Sequence, residues 1–112
     1  MNAKTKTFTP AVVSTKQKLS GVPCKFAFSE YGYDFVVHRP LTSNQLSKKS
    51  WAVSEVTSGG VAASGFRTQA EAIDEAKRRL AAVTPEKFKD IVDYAISRAA
   101  DFEVVPYKEE SK

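Results

Sequence analysis

Residues 51–80 change their hydrophobic period near the middle, and this change limits the folds open to the chain. Large and small side chains alternate over residues 51–54, which is the two-residue period of a strand. Ser58-Gly59-Gly60 predicts a tight turn, and Val61–Phe66 predicts the returning strand. From residue 69, apolar side chains recur every three or four positions, as in an amphipathic helix. The segment therefore predicts a β-hairpin that leads directly into a helix.

Two capping signals predict two consecutive helices. Thr68 and Glu71 have the spacing of a capping box, and Thr84-Pro85-Glu86 is a second helix start. The apolar stripe of the first helix is predicted to be Ala70, Ile73, Ala76, Leu80 and Val83. The stripe of the second is predicted to be Phe88, Ile91, Val92, Ala95, Ile96 and Ala99.

An earlier pair of alternating runs predicts another hairpin. Residues 25–30 and 33–38 alternate, and Tyr31-Gly32 between them suits a hairpin tip, with Phe26 and Phe28 on one side of the sheet. The resulting fold class is α+β: a four-stranded antiparallel β-meander followed by two helices on one face, ββββαα, in a two-layer sandwich. The other sheet face is expected to be open unless the N-terminal arm or a partner chain covers it.

Length and charge predict one domain with a basic arm. The chain has 112 residues and a formal net charge of +4, while residues 1–50 hold eight basic and two acidic side chains and so carry +6. Residues 1–21 are predicted to be a largely flexible basic arm, residues 22–107 a single domain, and residues 108–112 a disordered tail. This uneven charge favours an anionic partner.

Several functional classes are disfavoured by composition. Cys24 is the only cysteine and His38 the only histidine, so we expect no metal site, and the glycine pair matches no phosphate-binding loop. No cofactor, small-molecule substrate or catalytic residue is predicted, and we expect the protein not to be an enzyme. No apolar run reaches the length of a membrane span, so a soluble, cytoplasmic protein without a membrane partner is expected.

The main functional prediction is contact with nucleic acid or a nucleoprotein through the basic arm, the loop at residues 41–50 and the open sheet face. Four antiparallel strands followed by a helix resemble single-stranded-DNA-binding folds such as the Whirly and PUR-repeat folds, and the resemblance implies a curved sheet that binds DNA. None of the diagnostic motifs of those families is present. The residues expected to meet phosphates are Lys16, Lys18, Lys25, Arg39, Lys48, Lys49 and Arg67.

The alternative is a protein-interaction module or homodimer. Small side chains on the open face would let another backbone approach closely, and an inhibitor of a host nuclease or CRISPR complex from a phage or other mobile element is one form of this alternative. The interface is then predicted to be Val36, His38, Ala52, Ser54, Ala62 and Ser64.

Overall fold

A computed structural model of the chain describes residues 6–12, 15–42, 45–46 and 49–107. The elements in chain order are β1 (Lys6–Phe8), β2 (Ala11–Val12), β3 (Gln17–Ser20), β4 (Val22–Glu30), β5 (Tyr33–His38), β6 (Leu41–Thr42), β7 (Gln45–Leu46), β8 (Trp51–Glu55), β9 (Val61–Phe66), α1 (Gln69–Ala81), α2 (Pro85–Arg98) and β10 (Glu103–Pro106).

A five-stranded antiparallel sheet in the order β1-β4-β5-β8-β9 forms the centre of the molecule. Both predicted hairpins are present in it. Tyr31 and Gly32 have φ angles of 57° and 83° and connect the paired residues Glu30 and Tyr33, which is the two-residue turn that matches strand twist. The prediction of only four strands is wrong, because β1 adds a fifth strand along the start of β4.

Both helices begin where the capping signals predict. The Thr68 hydroxyl accepts the Glu71 amide at 3.1 Å, and the Thr84 hydroxyl accepts the Lys87 amide at 3.1 Å. The buried residues of α1 are Ala72, Ala76 and Leu80, and those of α2 are Phe88 and Val92. Of the predicted stripe residues, Ala76, Leu80, Phe88, Val92 and Ala99 are buried. Ala70, Ile91 and Ile96 are exposed instead.

The main core lies between the helices and one face of the large sheet. It is formed by Phe28, Phe35, Val37, Val53 and Ala63 from the strands together with the buried helix residues. The Phe28 and Phe35 rings stack with centroids 4.7 Å apart, and Phe88 of α2 lies 5.8 Å from Phe35. The helices thus cover one face of the sheet, as expected.

A bulge in β4 changes the face on which one aromatic ring lies. Phe26 pairs with Val36 and Phe28 pairs with Phe35, so Ala27 is an extra residue in the register. Phe26 consequently lies on the opposite face from Phe28, and 48% of its surface is exposed. The prediction that both rings share a face is wrong for this reason.

A second sheet covers the face opposite the helices. It has the order β10-β3-β2, with β10 parallel to β3 and β2 antiparallel to β3. Val12, Leu19 and Val105 pack from it against Val22 and Val36 of the large sheet. The structure has three layers where two are predicted, and the segment predicted as a flexible arm contributes β1, β2 and β3.

The turn between β8 and β9 is shaped to receive the N-terminal segment. Gly59 has a φ of 70°, and a Cβ placed on it would lie 2.6 Å from the Thr9 carbonyl oxygen and 2.8 Å from the Ala11 nitrogen. The buried Glu55 carboxylate holds this turn by accepting the amides of Thr57 and Ser58. Glycine at position 59 therefore permits the segment to cross closely above the sheet.

Candidate binding surface

The sheet face predicted to be an open interface is mostly buried. Val36, His38, Ala52 and Ser54 are buried and Ala62 is partly buried, whereas Ser64 is exposed. The Phe8 ring of β1 lies 4.8 Å from the His38 ring. The small side chains do permit close approach of another backbone, but in this structure that backbone belongs to the N-terminal segment of the same chain.

His38 and Ser54 form a hydrogen-bonded pair under this cover. His38 Nδ1 lies 3.0 Å from the Arg39 carbonyl, to which it donates, so Nε2 accepts from the Ser54 hydroxyl at 2.7 Å. Burial lowers the pKa of the His38 ring below 6.5, although the bond to the Arg39 carbonyl opposes this effect. With exposures of 5% and 1%, neither side chain is open to a substrate in this conformation.

The cations predicted to meet phosphates lie on several different elements of the fold. Arg39 stacks on the Trp51 ring at 3.7 Å and donates to the Ser50 carbonyl, so its charge is already engaged. Arg67 follows β9, which is three strand spacings or about 14 Å from β4. Lys16 and Lys18 lie at the start of β3, and Lys49 is exposed, while Lys48 is outside the described residues.

Three lysines lie along β4, and one of them lies over its exposed ring. Lys6 Nζ is 5.6 Å from the centroid of the Phe26 ring, and Lys25 is the exposed residue directly before Phe26. On the helix side of the same strand, Lys77 Nζ is 5.2 Å from the centroid of Phe28. We call Lys6, Lys25, Phe26 and Lys77 the β4 edge patch.

The edge of β4 beside this patch is not paired with another strand of the described chain. Among the described residues, the pairing of β1 with β4 covers Val22–Cys24. Burial raises the pKa of the Cys24 thiol more than the nearby Lys6 ammonium lowers it, so this thiol stays protonated near neutral pH. Next to Cys24, the exposed side chains of β4 are Lys25 and Phe26.

Lys25 is the one member of the β4 edge patch among the residues predicted to meet phosphates. Lys6 lies in the predicted arm, Phe26 is predicted to share a sheet face with Phe28, and no prediction concerns Lys77. Alternation over residues 25–30 gives no sign of the bulge that exposes Phe26, and the pairing of β1 with β4 is a contact between distant segments. The cluster of positive charge in the first half of the chain was the one available signal for Lys6.

An open depression at the opposite edge of the sheet is slightly acidic, because its lining holds two basic and three acidic side chains. It is lined by Gly65, Phe66, Arg67, Glu71, Asp74, Glu75 and Arg78. Hydrogen bonds from Arg78 and Arg79 lower the pKa of Glu75 to about 2. Arg79 also donates to the Ala62 carbonyl at 3.0 Å, which satisfies a backbone acceptor on the outer edge of β9. This depression does not offer the surplus of positive charge found at β4.

The described residues contain no group of three or more His, Cys, Asp or Glu side chains arranged to hold a metal ion. Within the same ranges, neither helix combines the length and hydropathy needed to span a bilayer. No protein-family model, curated protein or solved structure matches the chain.

Proposed function

We propose that this chain is a non-enzymatic binding protein that contacts single-stranded nucleic acid, free or within a nucleoprotein, through the β4 edge patch. The observation that carries the proposal is an exposed aromatic ring with a lysine over it and a second lysine next to it in the sequence, on a strand edge that no described strand covers. Proteins that bind single strands combine these two elements, cations that follow the phosphates and aromatic faces on which bases stack.

The arrangement of the patch suits a single strand better than a duplex. Lys6 approaches Phe26 on one face of β4, whereas Lys77 lies over Phe28 on the other face. A flexible strand laid along the edge can place phosphates near cations on both faces while one base stacks on Phe26. In a duplex the base faces are stacked inside the helix and are not accessible to the ring.

The test measures anisotropy of a labelled oligothymidine of about 12 nucleotides, a length within the usual site size of such proteins. Stacking of one base contributes about 1–3 kcal/mol, so Phe26→Ala should weaken binding by about fivefold to 150-fold. Lys6→Ala and Lys25→Ala should each reduce the slope of log affinity against log salt by about 0.7. All variants should keep the thermal midpoint of the wild type, because the altered side chains are exposed.

Lys16→Ala and Lys18→Ala are the matched controls, because they remove the same charge from the second sheet. They should change the salt slope much less than Lys25→Ala. Equal effects of Lys16→Ala and Lys25→Ala would mean that binding follows total charge and not the β4 edge patch. Wild-type affinity in Phe26→Ala would also contradict the proposal.

A second candidate function is the binding of a protein partner. It is favoured by two large apolar side chains, Ile91 and Tyr94, that α2 exposes to solvent.

A further inference from the structure

The outward side of α2 carries a regular row of side chains that the core does not use. Its members follow one another at intervals of four, three and four residues, so they lie on one line along the helix. We call them the α2 outer stripe: Lys87, Ile91, Tyr94 and Arg98. The buried line of the same helix passes through Phe88 and Val92, which hold α2 against the sheet without using the stripe.

The centre of the α2 outer stripe is apolar and open to solvent. Ile91 is 48% exposed and Tyr94 is 67% exposed. Two adjacent large side chains at i and i+3 on a stable helix are the usual anchors when a helix enters an apolar cleft of another protein. Tyr94 adds a hydroxyl that can form a hydrogen bond at the rim of such a cleft.

Both ends of the stripe are positively charged. Lys87 and Arg98 are exposed, and neither forms an ion pair with any described residue. Arg79 and Lys89 differ, since Lys89 pairs with Asp93 at 2.8 Å and Arg79 pairs with Glu75 at 2.7 Å. Lys87 and Arg98 are eleven positions apart along the helix, which is about 16 Å.

This charge pattern indicates which kind of partner the stripe fits. If two copies met through α2 in antiparallel orientation, Lys87 of each would face Arg98 of the other, and Ile91 would face Tyr94. In parallel orientation, each cation would face its own counterpart. Either arrangement of two copies brings like charges together on both sides of the apolar centre, which is unfavourable. A cleft with carboxylates at both ends is complementary instead.

We propose that the α2 outer stripe is a docking site for an acidic protein partner. Ile91 and Tyr94 enter an apolar cleft of that partner, and carboxylates about 16 Å apart at the ends of the cleft pair with Lys87 and Arg98. The docking site is separate from the β4 edge patch, and it stands without the proposed nucleic-acid function.

The experiment selects partners from a phage-displayed library of random peptides on the immobilised full chain. A double variant, Ile91→Ser with Tyr94→Ser, serves for counter-selection. The recovered peptides should carry acidic residues on both sides of an apolar centre. For a synthetic copy of one such peptide, anisotropy should show a loss of at least about tenfold with Ile91→Ser or Tyr94→Ser, as expected for central anchor residues.

Charge reversal tests the complementarity directly. The double variant Lys87→Glu with Arg98→Glu should bind the acidic peptide at least about tenfold more weakly than the wild type. Replacing the acidic residues of the peptide by lysine should restore binding to this variant. Ile96→Ser is the matched apolar control, because Ile96 is exposed on the other side of the buried line of α2. Arg67→Glu is the charge control, and both controls should bind as the wild type does.

Four results would overturn the proposal. The first is failure to recover any peptide that the counter-selecting variant loses, and the second is recovery of peptides without acidic enrichment. The third is failure of the lysine-substituted peptide to bind the variant with Lys87→Glu and Arg98→Glu. The fourth is a dimer in sedimentation equilibrium that Ile91→Ser with Tyr94→Ser dissociates. Unchanged oligothymidine binding by the same variants would separate this site from the β4 edge patch, whatever the result for the patch itself.

Discussion

The two faces of the large sheet are covered in different ways, and the difference separates local from distant determinants of the fold. The helix face buries Phe35, Val37 and Val53 completely, under elements that follow the sheet directly in the sequence. The second face packs Val22 and Val36 against strands from both ends of the described chain, and His38 and Ser54 are buried on the same face. One face is therefore an apolar core made by neighbouring segments, and the other is a mixed layer that depends on distant ones.

The largest effect is expected on the helix face. Phe35→Ala removes a fully buried ring that stacks on Phe28 and contacts Phe88, and it should lower the free energy of unfolding by about 3–5 kcal/mol. Urea unfolding followed by circular dichroism measures this loss. Val36→Ala on the second face should cost less, because it removes fewer buried atoms. Equal decreases in the free energy of unfolding for the two variants would contradict the view that the helix face is the main core and the second face a secondary layer.

Gly59→Ala should act selectively on the second face. The new Cβ would collide with backbone atoms of Thr9 and Ala11, and alanine at a positive φ adds strain, for a total loss of about 1–3 kcal/mol. Hydrogen exchange should accelerate at the Leu19 amide, which donates to the Pro10 carbonyl, while amides of α1 keep their protection.

Gly32→Ala is the control for the backbone strain alone. Gly32 has a φ of 83°, and nothing lies within 4 Å of the position of its added Cβ. It should lower stability without accelerating exchange at Leu19. If both glycine variants accelerate exchange at Leu19 equally, the contact between Gly59 and the N-terminal segment does not hold the second layer in place.

The buried polar pair makes the second face sensitive to loss of a single hydroxyl. Ser54→Ala leaves His38 Nε2 without its hydrogen bond in a buried position, and this should cost about 1–3 kcal/mol. Ser64→Ala removes an exposed hydroxyl from β9 and should stay within about 0.5 kcal/mol of the wild type. Denaturant titration of both variants measures the difference. An unchanged midpoint in Ser54→Ala would show that the pair contributes nothing to stability.

The same pair predicts a pH dependence of stability. Because burial lowers the pKa of His38 in the folded chain, the unfolded chain binds a proton more readily below pH 6.5. The free energy of unfolding should therefore decrease as pH falls from 6.5 toward the folded pKa, and this contribution should be level above 6.5 and below the folded pKa. Glu75, whose pKa is lowered to about 2, adds to the pH dependence only below about pH 4.5, where its stabilising contribution is lost as the pH falls.

His38→Gln tests that assignment, since glutamine does not titrate. Unfolding measured between about pH 7 and 5 should lose its pH dependence in this variant, whatever the absolute stability of the variant. A slope in His38→Gln equal to that of the wild type would assign the pH dependence to other groups.

Local chemistry explains which parts of this fold could be predicted from the sequence. The turn at Tyr31-Gly32 and the helix starts at Thr68 and Thr84 depend on residues within four positions of one another. The pairing of β10 with β3 joins residues 103–106 to residues 17–20, and both runs are too short to show a period. The N-terminal segment was therefore predicted to be an arm and the second face to be open.

The candidate site was predictable only in its general character. The excess of positive charge in the first half of the chain indicated an anionic partner, and Lys25 remains a member of the β4 edge patch. The exposure of Phe26 depends on one extra residue in the register of β4, and alternation alone predicts the opposite face. Arginine is a common phosphate ligand, but the guanidinium group of Arg39 stacks on the ring of Trp51.

The smallest effect is expected where the tip of the first hairpin meets α1. The Tyr31 hydroxyl lies 3.0 Å from the carbonyl oxygens of both Leu80 and Val83, so its one proton is shared between two acceptors at the end of the helix. Tyr31→Phe keeps the ring contact with Phe88 and removes only this link, at a cost of about 0.5–1.5 kcal/mol.

Tyr94→Phe is the control for this last change, because it removes an exposed hydroxyl from α2 and should leave the urea midpoint where it is. Hydrogen exchange sharpens the test, since Val83 donates its amide to Leu80 at the same helix end and should exchange faster in Tyr31→Phe. The Leu19 amide, which belongs to the second layer, should not respond. Faster exchange at Leu19 in Tyr31→Phe would mean that the two faces of the sheet unfold as one unit. Loss of a hydrogen bond on the helix face would then have loosened the layer on the opposite face.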